Sequence, residues 1–205
     1  MNIGILNYTV GNIKNLSDFI ESMNYKITII DDQNLEIMEN LDGLVFPGVG
    51  AFNTAMNFIN KHNIEKNIFN MISNNKPILG ICLGFQIMFN QSSENNISKG
   101  LGIFDGEVLK LDLFNYFDQQ SVPHIGWNNI DEMSTKQGFY FLHSFAVQKL
   151  NNNEDAEIYF TDYSKLKFIS LIKKNNIMGT QFHPERSDKN GYNLIKEFFA
   201  NYEKI

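Results

Sequence analysis

Three short apolar runs, at residues 3–6, 44–46 and 78–81, and a further strand-like segment at 27–30 alternate with segments whose apolar residues recur at helical spacing. In residues 12–23 those positions are Ile13, Leu16, Phe19, Ile20 and Met23, which share one helix face. Residues 52–59 and 64–72 read the same way, and residues 85–89 begin a further helix. Runs that are apolar at every position belong in a sheet covered on both sides, and strand–helix–strand alternation makes such a sheet mostly parallel. The prediction is therefore an α/β fold with helices on both faces. The second half is richer in strands, at 106–111, 138–147, 157–161, 168–172 and 177–182. A last helix over about 189–202 puts Leu194, Ile195, Phe198 and Phe199 on one side. No linker rich in Pro, Gly or Ser interrupts the 205 residues. Residues 1–205 are expected to form one domain, large enough to bury about 70% of its unfolded surface.

Composition removes several classes of function. A net charge of −6 with scattered charges lacks the basic face that a nucleic-acid partner needs. No apolar run approaches the roughly 20 residues that cross a bilayer, so no membrane partner is expected. Residues 1–8 lack the basic start and long apolar core of a signal peptide, which makes the cytoplasm the expected location. The single cysteine, Cys82, excludes an intrachain disulfide and a multi-cysteine zinc site. No metal or cofactor is expected.

Rare residue types concentrate at a few motifs. In Gly80-Ile81-Cys82-Leu83-Gly84 an apolar strand meets a helix in the glycine–x–nucleophile–x–glycine pattern of a nucleophile elbow. A sharp strand-to-helix turn holds its central residue in a strained conformation and projects it above the carboxyl end of the sheet. Small neighbours keep that turn free of clashes. A helix N-terminus favours an ionised sulfur, and the N–H of Leu83 can stabilise an oxyanion. Standing alone, the motif also fits a structural cysteine between packing glycines.

A thiol nucleophile needs a base, and the base needs a carboxylate to fix its tautomer. Gly179-Thr180-Gln181-Phe182-His183-Pro184-Glu185 ends a strand and supplies both. In extended chain residues i and i+2 share a side, so His183 and Glu185 can lie together, with Pro184 stiffening the turn. Taken alone, this is equally an exposed loop with a chance His and Glu. A cysteine elbow combined with a distant His-x-Glu is more specific than either part. Pro47-Gly48-Val49-Gly50 follows the run at 44–46, where backbone N–H groups could face the same sheet edge. By itself it also reads as an ordinary strand–turn–helix connection.

These three pieces, in this order, resemble the class I (triad) glutamine amidotransferases. More narrowly, they resemble the glutaminase subunit of imidazole glycerol phosphate synthase. The narrower resemblance rests on Pro47-Gly48-Val49-Gly50-Ala51-Phe52, the segment Gly100-Leu101-Gly102-Ile103-Phe104-Asp105-Gly106-Glu107-Val108, and Pro123-His124-Ile125-Gly126-Trp127-Asn128. Tyr140-Phe141-Leu142-His143-Ser144 and Gly11-Asn12 add to it. It implies a flavodoxin-like fold, with Cys82 as nucleophile, His183 as base and Glu185 as its orienter. It implies oxyanion donors from Val49 and Leu83, and contacts to L-glutamine from Gly50, Gln86 and Ser144. The implied partner is a (β/α)8-barrel cyclase in a heterodimer, facing Asn12, Trp127, Tyr140 and Arg186. For Trp127 and Tyr140 taken singly, core packing is the alternative.

Three positions depart from the family pattern. Phe85 follows Gly84 where Met or His is usual, Asn7-Tyr8-Thr9 replaces Asp-Tyr-Gly, and Arg186 replaces Lys. None removes a catalytic group, and the last two bear on the partner surface. The resemblance implies a glutaminase that supplies ammonia for making imidazole glycerol phosphate and AICAR in histidine biosynthesis. Two other readings stand beside it: a paralogue serving an amidation in surface-sugar biosynthesis, and a binding module that keeps the fold without the chemistry.

Overall fold

The computed structural model of the chain describes residues 1–8, 13–111, 122–131, 133, 138–152 and 155–203. The mostly parallel sheet expected from the apolar runs is present. Its parallel strands are β1 (Asn2–Leu6), β2 (Lys26–Ile30), β3 (Gly43–Phe46), β4 (Ile78–Ile81) and, much later in the chain, β13 (Ile177–Thr180). They lie in the order β2-β1-β3-β4-β13. Two antiparallel strands, β12 (Leu166–Lys174) and β11 (Glu157–Tyr163), continue the sheet beyond β13.

Every residue of β3, β4 and β13 is buried, because both faces of the sheet are covered. Alternate side chains serve opposite cores. Ile3, Ile5, Val45, Leu79, Ile81 and Met178 pack with apolar residues of α1 (Lys14–Glu21) and α5 (Asp188–Ala200). Leu6, Leu44, Phe46, Ile78 and Ile177 pack with those of α2 (Phe52–Lys61) and α3 (Glu65–Ser73). The register pairs Phe46 with Gly80 and Ile81 with Thr180. The carboxyl ends of three neighbouring strands are therefore level to within one residue, and Gly48, Cys82 and Gln181 leave the sheet side by side. In open α/β sheets this edge is where ligands bind.

Two expectations are corrected. The helix read at 85–89 is a single turn, α4 (Leu83–Gln86), and Phe89 already starts β5 (Phe89–Ser92). Ile87, Met88 and Phe89 are all fully buried, so the run has no solvent face from which to read a helical period. The Phe89 ring sits between those of Phe85 and Phe104, at 4.9 and 5.7 Å. The strand read at 138–147 is two strands, β9 (Phe139–His143) and β10 (Phe145–Asn152), parted at Ser144. β9 pairs with β8 (His124–Asn128), a strand that the sequence reading did not separate from its motif. β10 joins β7 (Phe104–Lys110), β5 and β6 (Ser98–Lys99) in a second sheet of order β10-β7-β5-β6. Among the described residues, no helix is long and apolar enough to cross a membrane.

Candidate active site

Cys82 leaves β4 with φ 46° and ψ −102°, a conformation that costs a non-glycine residue on the order of 1–3 kcal/mol. The surroundings impose it. The Cys82 N–H donates to the Thr180 carbonyl over 2.6 Å, and the Gln86 N–H donates back to the Cys82 carbonyl over 3.0 Å. A Cβ on Gly84 would lie 2.0 Å from the Phe46 carbonyl oxygen, so only glycine lets α4 rest this close to β3. The elbow inferred from glycine spacing is thus a steric requirement. Because α4 is one turn long, its summed dipole is small. Stabilisation of charge at Cys82 falls to individual donors, such as the first N–H groups of the turn, which have no intrahelical acceptor.

His183 Nδ1 donates to Glu185 Oε1 over 2.8 Å. A carboxylate only accepts, so Nδ1 carries the proton and Nε2 stays available to exchange one. The pair arises differently from the extended-chain expectation: Pro184–Arg186 forms a short 3-10 turn that folds the carboxylate back onto the ring. His183 is buried, which alone would push its pKa down. The Cys82 sulfur charge and the Glu185 carboxylate outweigh that and raise it to about 10. Among the described residues, His183 Nε2 and Glu185 Oε2 are buried without a hydrogen-bond partner. The His183 main chain is pinned on both sides. Its N–H donates to the Tyr140 carbonyl over 2.8 Å, and the Ser187 hydroxyl donates to its carbonyl over 2.6 Å.

Cys82 opens into a cavity of about 300 Å³, whose walls include Gly50, Leu83, Gln86, Glu94 and Ser144. A second hollow, about 470 Å³, is lined by Val49, His183, Glu185 and Arg186, among others. Gly48, Gly50 and Leu142 line both, so the loop after β3 forms the partition. The buried Tyr8 hydroxyl donates to the Pro47 carbonyl over 2.5 Å and holds the start of that loop. Another hollow, lined by Met1, Asp42, Lys76 and Pro77, lies at the amino ends of the strands and holds none of the predicted residues. Glu94 escaped the sequence reading. Its Oε2 accepts the Phe52 N–H over 2.9 Å, a contact across 42 residues of chain that no local pattern announces.

Trp127, Tyr140 and Arg186 come together as one surface cluster. The Arg186 guanidinium lies 4.5 Å from the Tyr140 ring centre, and the Trp127 ring stands edge-on at 6.1 Å. Trp127 is 46% exposed, Ile125 57% and Leu142 38%, so Trp127 is not a core residue. Asn12, assigned to the same surface, lies outside the described residues.

The glutamine amidotransferase class-I family model matches residues 5–202. The chain belongs to the class-I glutamine amidotransferases. Similar amidotransferases include the imidazole glycerol phosphate synthase subunit HisH of Methanocaldococcus jannaschii, 36% identical over 96% of this chain and 97% of that one. The subunit HisH of Aquifex aeolicus is 35% identical over 98% and 97%. A crystal structure of a glutamine amidotransferase shares the fold with a TM-score of 0.74 at 17% identity, covering 98% of both chains. PurLQS from Thermotoga maritima does so at 0.65 and 15%, covering 98% of this chain and 99% of that one.

Proposed function

We propose that the chain, acting as one amidotransferase domain, hydrolyses L-glutamine to glutamate and ammonia through Cys82, His183 and Glu185. The observation that carries this reading is the convergence at one sheet edge. A cysteine on a strained elbow faces a cavity, beside a histidine whose other nitrogen is tied to a carboxylate at 2.8 Å. The Cys82 sulfur attacks the side-chain amide carbon of glutamine. The Leu83 N–H takes the oxyanion, joined by that of Val49 once the loop after β3 turns it from the second hollow toward Cys82, a contribution of about 10²–10³ in rate per donor. His183 protonates the departing ammonia, leaving a glutamyl thioester, then draws a proton from water as its oxygen attacks the thioester carbon. Gly50, Gln86 and Ser144 hold the substrate, and the Glu94 carboxylate matches its α-ammonium group.

The ammonia passes to a (β/α)8-barrel cyclase subunit in a heterodimer, for synthesis of imidazole glycerol phosphate and AICAR in histidine biosynthesis. The shared name of the similar relatives favours this acceptor over the surface-sugar alternative. The exposed apolar strip of Ile125, Trp127 and Leu142, flanked by Tyr140 and Arg186, supports a partner at the mouth of the second hollow. A thiol nucleophile stays reduced in the cytoplasm, which is the compartment this reading assigns.

The test is Cys82→Ala in the presence of the cyclase. Product formation from glutamine should vanish while formation from ammonium salt persists. Retained glutamine hydrolysis in that variant overturns the reading. A barrel protein that co-purifies and stimulates hydrolysis supports the partner.

A further inference from the structure

Gln181 has no part in the hydrolysis as described, yet it is fully buried and its amide nitrogen lies 3.6 Å from the Cys82 sulfur. The direction of that amide is set by its neighbours. Gln86 Nε2 donates to the Phe145 carbonyl over 2.8 Å, and a carbonyl can only accept. The group that Gln86 turns toward Gln181 at 3.2 Å is therefore a donor. Gln181 must meet it with its oxygen, which leaves its NH2 aimed at the sulfur. The same Phe145 carbonyl accepts from His143 Nδ1 over 2.9 Å, so His143 Nε2 accepts from His124 Nδ1 at 3.1 Å. The main chain of Gln181 is also anchored, its N–H donating to the Ser170 carbonyl over 2.8 Å. Every donor and acceptor of this buried network, which converges on the Phe145 carbonyl, thus has one consistent assignment, and it turns a donor toward the nucleophile.

The sulfur also lies 3.7 Å from the Leu142 carbonyl, which can hold a thiol but cannot donate to a thiolate. The titratable groups acting on the sulfur are His183 and the Tyr8 hydroxyl. Tyr8 gives its proton to Pro47, and His183 changes its charge during the reaction. Gln181 is a neutral side-chain donor beside the sulfur that neither gives up its proton nor changes charge.

We propose that Gln181 is a further catalytic residue, whose side-chain amide stabilises the Cys82 thiolate both as attacking group and as leaving group. This rests on Cys82 being the nucleophile. When the thioester is hydrolysed, the water oxygen bonds to the acyl carbon, the C–S bond breaks, and its electron pair stays on the sulfur. The Gln181 N–H stabilises that charge until His183 returns the proton.

Cys82 is the single cysteine, so its alkylation by iodoacetamide in the full chain reports the sulfur alone. Gln181→Met keeps the bulk and removes the donor, and Gln181→Glu puts an acceptor in its place. Both should slow alkylation at neutral pH about tenfold and move its pH profile upward. Glutaminase kcat should fall by a similar factor with KM little changed. An unaltered profile and kcat in a folded Gln181→Met protein overturn the proposal. Hydrolysis surviving in Cys82→Ala sinks the nucleophile assignment instead, so the two failures are distinguishable. Should neither variant fold, NMR on the wild-type chain decides. The Gln181 side-chain amide protons should shift along the alkylation profile and stop doing so in Cys82→Ala. Resonances indifferent to Cys82 reject the proposal.

Discussion

The main-chain N–H of His183 donates to the carbonyl of Tyr140 over 2.8 Å, which ties the imidazole to the strand that carries the exposed aromatic cluster. Tyr140 in turn takes the Ser187 hydroxyl on its own N–H at 2.9 Å, and that hydroxyl donates to the His183 carbonyl. The surface cluster and the imidazole are thus joined through three short bonds. A partner docked on Trp127, Tyr140 and Arg186 would press on the segment that sets the imidazole.

Trp127→Ala should separate docking from folding. An exposed aromatic contributes little to the folded chain, whereas an anchor at an interface centre is worth roughly 2 kcal/mol or more. The expected result is an unchanged melting temperature, unchanged hydrolysis by the isolated chain, and cyclase binding weakened about 30-fold, read by calorimetry. Unaltered binding would move the interface elsewhere.

Glu185→Gln removes the charge that holds the His183 tautomer while keeping the size of the side chain. Glutaminase kcat should fall by about 10²–10⁴, with glutamine KM within a few-fold of the parent. Steady-state kinetics at saturating cyclase provide the measurement. A variant with parental kcat would show that Glu185 orients nothing.

Stability should peak near pH 6.5, the ordinary histidine value, for two opposed reasons. His183 holds its proton more tightly folded than unfolded, with its pKa raised to about 10 by Cys82 and Glu185 against the effect of burial. Its contribution is complete below 6.5 and is lost as pH rises through 10. Burial pushes His124 down to about 4 and His143 down to about 3, with the His124 charge adding to the latter. The neutral pair suits the folded state above 6.5, and stability is lost as pH falls through those values. Thermal melts across this range should show both limbs. Glu185→Gln should reduce the alkaline limb in part, since Cys82 also raises His183, and His124→Gln the acid limb in part, since burial still lowers His143.

Gly179 faces the Phe85 ring so closely that a Cβ would sit 2.1 Å from it. Phe85 is fully buried and edge-packed on Phe89, so it cannot swing aside. Gly179→Ala should cost about 1–3 kcal/mol in chemical denaturation. Adding Phe85→Met, which restores the residue type usual in the family, should recover part of that loss. A coupling below about 0.5 kcal/mol would mean the two positions do not share the strain.

The parts legible in the sequence are those where local chemistry and fold make the same demand. The runs at 44–46 and 78–81 read as strands because both faces are covered, and Gly80 and Gly84 mark the elbow because the backbone needs them. His183 and Glu185 were found together, although a 3-10 turn rather than an extended chain pairs them. What escaped depends on distant packing. Glu94 reaches the cavity from a polar stretch without periodicity, and the amide of Gln181 meets Cys82 across 99 residues of chain. Residues 87–89, enclosed on all sides, offered no pattern to separate helix from strand.

The level ends of β3, β4 and β13 have a consequence for how the activity comes into being during synthesis. Cys82 and β3 lie in the first half of the chain, but the Thr180 carbonyl that fixes the elbow and the His183 imidazole arrive only with β13, which pairs with β4. Parallel pairing over so long a separation is slow and comes late. Until then a nascent chain carries Cys82 without His183 beside it, so assembly of the proposed triad and completion of the sheet are the same event.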